Sequence, residues 1–131
     1  MQYEELEKAL QIEIEKAEEI AIEYIQESVN YYPYIYFGEN NIKKFKADSL
    51  DEAIDMATEE IEGMDEETVV LIFKEIIELN DGSFDAIVSQ VYNVDEDSAY
   101  SFGLLYKIED NKIIFLNKRV FLGEVRNCLI Y

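Results

Sequence analysis

The side chain best placed for chemistry in this sequence is Glu75, a carboxylate within the apolar run from Thr68 to Leu79. The residues that would share its strand face are all apolar: Val69, Leu71, Phe73, Ile77 and Leu79. A carboxylate buried on such a face would have a raised pKa and could act as a general acid or base. Two alternatives stay open, because the strand can twist Glu75 into solvent or a neighbouring Lys74, Lys107 or Lys112 can pair with it.

Tyrosines are the second candidate group. Seven of them lie on or beside predicted strands: Tyr31, Tyr32, Tyr34, Tyr36, Tyr92, Tyr100 and Tyr106. Together with Glu75, four of these are candidates to line a small-molecule pocket, namely Tyr32, Tyr34, Tyr36 and Tyr106. Ligand sites combine such apolar or aromatic walls with a few polar groups. Ordinary packing is the alternative, since tyrosine is a common strand residue with an apolar body and a polar tip.

Carboxylates form the third group. The segment from Asp48 to Glu67 contains ten acids and no base. Eight of them are candidates for binding a partner: Asp51, Glu52, Asp55, Glu59, Glu62, Asp65, Glu66 and Glu67. Like charges three and four residues apart weaken a helix by a few tenths of a kcal/mol per pair. Selection for stability alone would therefore have placed some lysines among them.

Two amphipathic helices must position these groups. Apolar residues recur at spacings of three and four from Tyr3 to Val29, which predicts one long helix. This segment also holds nine Glu and two Lys, mostly off the apolar stripe, and Ile12 lies roughly opposite the stripe. The second helix is predicted from Leu50 to Glu62. It begins with a capping box of Ser49 and Glu52, and Gly63 is expected to end it in a left-handed conformation.

The remaining segments are rich in β-forming residues and are separated by turn sequences. The predicted strands are Asn30–Phe37, Ile42–Ala47, Thr68–Leu79, Phe84–Asn93, Ala99–Ile108, Lys112–Lys118 and a last one in the tail Arg119–Tyr131, with Gly123 as a bend or bulge. Their short connections favour antiparallel pairing.

The element order predicts a single α+β domain over residues 1–131. Both amphipathic helices are expected to pack on one face of a curved antiparallel sheet of about five to seven strands, where each would bury its stripe. The order helix, two strands, helix, then a meander resembles that of the cystatin-like and nuclear-transport-factor-like cone folds. The resemblance is one of element order only and constrains function little.

Composition excludes several classes of function. The chain has 30 acidic and 11 basic residues, no histidine and a net charge of -19. Histidine-based catalysis is impossible, no known catalytic motif occurs, and we expect no metal or cofactor. The charge opposes binding of nucleic acid or of an anionic membrane. The single cysteine, Cys128, and the acidic N-terminus, which does not resemble a signal peptide, predict a cytoplasmic protein.

The uneven charge supports a directed interaction. Residues 1–67 carry 20 acids and 5 bases, whereas residues 68–131 carry 10 acids and 6 bases. The leading hypothesis is a non-enzymatic binding module, of the inhibitor or immunity type, that engages a basic protein through its acidic helical face. The alternative is a domain that binds a small ligand in the tyrosine-lined pocket, with Glu75 as its polar group. Such a domain could also be an enzyme. The chain could be a monomer or a homodimer formed through Ile12 or an edge strand.

Overall fold

The computed structural model describes residues 1–130, which form two helices and one six-stranded antiparallel sheet. The elements in chain order are a 3-10 turn (Tyr3–Glu5), α1 (Lys8–Gln26), β1 (Tyr34–Phe37), β2 (Asn41–Lys44), α2 (Leu50–Glu62), β3 (Thr68–Leu79), β4 (Gly82–Asn93), β5 (Ser98–Glu109) and β6 (Lys112–Arg126). Across the sheet the strands follow the order β2-β1-β3-β4-β5-β6. The predicted α+β class, with two helices and an antiparallel sheet, is confirmed.

The two helices pack on opposite faces of the sheet, so the prediction that both lie on one face is wrong. Successive residues of a strand point to opposite faces. In β3, Val70 and Ile72 belong to the core under α1, whereas Val69, Leu71 and Phe73 belong to the core under α2. The element order that resembles the cone folds is present, but the one-face packing expected with it is not.

The sequence of β3 explains why two covering layers are needed. Every residue from Val69 to Phe73 is apolar and buried, and a strand of that kind must be covered on both faces. On one face α1 supplies Ile14, and on the other α2 supplies Ile61, both fully buried. A single helical layer would have left half of this apolar run exposed to water.

The helix boundaries agree closely for α2 and less well for α1. The predicted Tyr3–Val29 helix is split, because Leu6 is extended and α1 begins only at Lys8. The bounds of α2 match the prediction, and the Ser49 hydroxyl accepts a hydrogen bond from the Glu52 N–H at 3.2 Å. Gly63 has a φ of -95°, so the predicted left-handed end is wrong. No helix within residues 1–130 combines the length and apolarity needed to cross a bilayer.

The strands after α2 lie where the sequence predicts them, with ends that differ by two residues or fewer for β3, β4 and β5. The aromatic segment before α2 forms a shorter strand than predicted, since β1 begins only after Pro33. Proline has no N–H to donate to a sheet ladder. The segments Lys112–Lys118 and Arg119–Tyr131 join into one strand, β6, that ends at Arg126; Tyr131 lies outside the described residues.

Two irregularities let β6 remain paired over its 15 residues. Gly123, with a φ of +130°, lies opposite Ser101 at the first register shift, which confirms the predicted bulge. The second shift surrounds Asn117, whose φ is +51°. Beyond it Arg119 pairs with Leu104, whose side chain faces α1. Arg119 therefore lies on the same face of β6 as Ile113, Phe115 and Phe121, which also pack against the core under α1.

Candidate functional site

The predicted acidic side chains of α2 all lie on its solvent side, away from the residues that it buries. Those that are exposed are Asp51, Glu52, Asp55, Glu59 and Glu62. Arg126 donates a hydrogen bond to Glu62 at 2.5 Å, and Lys43 donates one to the adjacent Glu60 at 2.7 Å. Within residues 1–130, no lysine or arginine lies at ion-pairing distance from the other four carboxylates of this row.

The connection from α2 to β3 continues this row into a groove at one end of the sheet. The groove has a volume of about 350 Å³ and lies where α1 and β3 begin and β4 ends. Five carboxylates from three separate chain segments line it: Glu7, Glu13, Glu66, Glu67 and Asp95. Its described lining contains no lysine or arginine. Residues 1–130 contain no group of three or more side chains arranged to hold a metal ion.

The groove and the exposed side of α2 together are termed the acidic surface. It comprises Glu7, Glu13, Asp51, Glu52, Asp55, Glu59, Glu62, Asp65, Glu66, Glu67 and Asp95. Sequence reasoning identified the members that lie on α2 and in the following connection. It missed Glu7, Glu13 and Asp95, because no local pattern indicates that these three chain segments meet.

Two buried asparagines hold the chain around the groove in place. The side-chain oxygen of Asn93 accepts a hydrogen bond from the Asp95 N–H at 2.9 Å, and its amide donates to the Thr68 hydroxyl at 2.8 Å. The side-chain amide of Asn127 donates to the carbonyl oxygens of Asn93 and Glu96 at 2.8 and 2.7 Å. These bonds hold the turn that carries Asp95 against the start of β3, beside the groove.

Three of the 11 bases lie toward the other end of the sheet. Lys74 and Lys107 occupy the later halves of β3 and β5, and Lys112 begins β6 beside the turn that follows Glu109. Carboxylates also lie at that end, among them Glu75, Glu78 and Glu109, and the start of α2 borders a cavity that Lys74 also lines. The groove is therefore distinguished by its five carboxylates without a base in its described lining, not by a separation of charge between the two ends of the sheet.

The predicted pocket of Glu75 and four tyrosines is not formed, because its members lie on different sides of the sheet. Tyr34, Tyr36 and Tyr106 are buried under α1, whereas Tyr32 is exposed in the loop before β1. Glu75 lies on the face that α2 covers, yet it is exposed, so the expected desolvation of its carboxylate is wrong. After Phe73 no residue of β3 is fully buried, and Ile77 and Leu79 on the same face are only partly buried.

Two of these tyrosines have structural roles. The Tyr34 hydroxyl donates to the carbonyl oxygen of Ala17 at 2.6 Å, and the Tyr36 hydroxyl donates to the Asn40 side-chain oxygen at 2.9 Å. Burial raises the pKa of Tyr34 above its usual range, so its hydroxyl stays protonated and anchors α1 to β1.

A buried ion pair beneath α1 was not predicted. Glu18 is 1% exposed and receives three hydrogen bonds of 2.7 to 3.2 Å from Arg119. The guanidinium also lies over the Tyr3 ring, 4.8 Å from its centroid. The sequence contained a signal, since Glu18 follows Ile14 by four residues and precedes Ala21 by three. Those spacings place it on the apolar stripe of α1.

Burial and pairing have opposite effects on this ion pair. Desolvation raises the pKa of Glu18, and the hydrogen bonds from Arg119 offset this rise only in part. For Arg119 burial lowers the pKa, but the hydrogen bonds and charge of Glu18 outweigh burial and raise it overall. Glu18 is buried, Arg119 is partly exposed, and neither lines any of the described cavities. The pair therefore fastens β6 to α1.

The features predicted to support self-association are both accessible. Ile12 is 43% exposed on α1, and β6 forms one edge of the sheet over 15 residues, whereas the other edge, β2, has only four. A homodimer through either feature stays a prediction, which size-exclusion chromatography with light scattering tests.

Comparison with protein-family models, with curated proteins and with solved structures found no match for this chain.

Proposed function

We propose that this protein is a non-enzymatic binding module whose acidic surface engages a basic protein partner, as an inhibitor or immunity-type protein does. The observation that supports the proposal is the groove, in which three chain segments present five carboxylates and no base. Like charges held close together repel one another in the free protein. Lysine or arginine side chains of a partner would relieve that repulsion and gain charge-assisted hydrogen bonds.

A basic protein fits this surface better than other partners. Nucleic acids and anionic lipids carry the same sign of charge as the acidic surface and would be repelled. Opposite potentials also raise the rate of encounter and favour one orientation of approach. We place this activity in the cytoplasm, where the one cysteine, the buried Cys128, would remain a thiol.

Two variants with the same net charge test the proposal. The surface variant neutralises four members of the acidic surface: Asp55→Asn, Glu59→Gln, Glu66→Gln and Glu67→Gln. The control variant neutralises four exposed acids outside it: Glu75→Gln, Glu78→Gln, Asp81→Asn and Glu109→Gln. Asp51 and Glu52 stay unchanged in both, because acids in the first turn stabilise α2.

Binding is measured by titration calorimetry with a Lys- and Arg-rich peptide, and by pull-down from a cell lysate. We expect the surface variant to bind the peptide at least about tenfold more weakly, a loss of about 1.4 kcal/mol, while the control variant binds nearly as the parent does. Added salt should weaken binding, since the screening length falls from about 30 Å at 0.01 M to about 8 Å at 0.15 M. Equal losses in both variants would mean that only net charge matters and would refute the proposal.

A further inference from the structure

A second cavity lies at the end of the sheet opposite the groove, between the end of α1 and the strands beneath it. Its volume of about 490 Å³ falls within the range of small-molecule sites. Apolar side chains from three elements and a loop form part of its wall: Ile25, Val29, Ile108 and Ile113. Tyr31 and Tyr106 also line it, and it is termed the tyrosine cleft.

The hydroxyls of these two tyrosines are buried and form no hydrogen bond with any described residue. Tyr106 is only 1% exposed. Other buried tyrosines do have partners: the Tyr34 hydroxyl donates to a backbone carbonyl, and the Tyr92 hydroxyl donates to the Gln90 side chain at 2.8 Å. Since nearly all buried polar groups are paired, two unpaired hydroxyls beside one cavity indicate a missing acceptor.

The charge of the lining indicates which kind of acceptor would fit. Lys74 is the one charged residue among the described residues that line the cleft, in a chain with 30 acids. Burial, and then the neighbouring Tyr106 hydroxyl, raise the pKa of Tyr31, so both hydroxyls remain protonated donors at neutral pH. For Tyr106, burial and then the negative charge of Asp85, which lies opposite it on β4, raise the pKa of the hydroxyl. Asp85 is not among the residues that line the cleft.

We propose that the tyrosine cleft binds a small organic carboxylate with an apolar body. Its carboxylate would accept hydrogen bonds from Tyr31 and Tyr106 and pair with the Lys74 ammonium, while its hydrocarbon would contact the isoleucines. This site differs from the pocket predicted from the sequence, because its charged group is a cation and Glu75 takes no part. It is also independent of the acidic surface and of the partner proposed for that surface.

The test is a titration of the whole protein followed by backbone amide NMR, with octanoate, octanol and octylammonium as probes. Octanoate should give saturable chemical-shift changes confined to residues of the cleft. It should bind at least about tenfold more tightly than octanol or octylammonium, because a hydrogen bond to a charged acceptor is stronger than one to a neutral group. No saturable shift up to about 10 mM octanoate, or equal binding of octanol or octylammonium, would refute carboxylate recognition.

Two tyrosine variants separate binding from folding. Tyr106→Phe should weaken octanoate binding about tenfold and yet raise the melting temperature of the ligand-free protein, because it removes an unpaired buried hydroxyl. The matched control is Tyr92→Phe, which lies on the other face and loses a hydrogen bond. It should lower the melting temperature and leave octanoate binding unchanged. A lower melting temperature for Tyr106→Phe would show that its hydroxyl is already satisfied, and the proposal would fail.

Discussion

Both helices of this protein are acidic, but the two faces of the sheet treat their carboxylates differently. The face under α1 encloses Glu18, which Arg119 neutralises from β6. The face under α2 receives only apolar or small side chains from its helix, namely Ala53, Ala57 and Ile61, and every acid of α2 remains outside. The one buried carboxylate among the described residues is thus one to which the sheet supplies a cation.

The comparison predicts that removing Glu18 has the largest effect on stability. Glu18→Ala should lower the free energy of unfolding by about 3 kcal/mol, because it leaves Arg119 half-buried without its partner. The control is Glu19→Ala, an exposed neighbour, which should change it by less than about 0.5 kcal/mol. Urea denaturation measures both. A double variant with Arg119→Met should lose less than the two single losses added together, and simple additivity would contradict the pairing.

The pH dependence of the same group is expected to be smaller. Since the folded pKa of Glu18 is raised above its ordinary value of 4.5, the folded protein holds this proton more tightly than the unfolded chain does. As pH rises from 4.5 through the higher pKa of the folded protein, the contribution of Glu18 to stability should therefore fall. The measurement is the difference in unfolding free energy between the parent and Glu18→Gln, from pH 4.5 to neutrality. If the parent instead becomes more stable relative to Glu18→Gln as pH rises, Arg119 lowers the pKa of Glu18 by more than burial raises it, and the prediction is wrong.

Two glycines test the packing of the sheet face under α2, at Gly103, and the end of α2, at Gly63. A Cβ atom at Gly103 would lie 2.8 Å from the end of the Ile77 side chain, so Gly103→Ala should destabilise the protein by about 1 kcal/mol through overpacking. At Gly63 the closest atom would be 3.8 Å away and φ is -95°. Gly63→Ala should therefore leave the free energy of unfolding unchanged or raise it by up to about 1 kcal/mol. If the backbone of residue 63 were left-handed, the same substitution would destabilise the protein. Thermal denaturation distinguishes these outcomes.

The smallest predicted effect concerns the outer side of α2. Asp55 has Asp51, Glu52 and Glu59 three or four residues away, so Asp55→Lys should stabilise the protein by about 0.5 kcal/mol or more. The same change should weaken binding of the Lys- and Arg-rich peptide. Glu78→Lys, an exposed change of equal charge outside the acidic surface, serves as the control for binding. A loss of stability in Asp55→Lys would remove the argument that these acids are retained at a cost.

Sequence patterns predicted the local elements well. The period of the apolar residues placed both helices, Ser49 marked the start of α2, and the alternation between turn sequences placed β3, β4 and β5. The same periodicity showed that the acids of α2 face solvent. These features depend on residues that are near neighbours in the chain, and their physical causes act over one or two turns of helix or one strand.

Tertiary structure alone decided which elements meet. The salt bridge from Glu18 to Arg119 spans 101 positions of the chain, and the groove joins residues as distant as Glu7 and Asp95. Glu75 illustrates the converse, since its strand face and the bounds of α2 were identified correctly but the point along β3 where full burial stops was not. Periodicity determines which side of an element is apolar, but the face on which each helix packs depends on how the whole apolar surface is best removed from water.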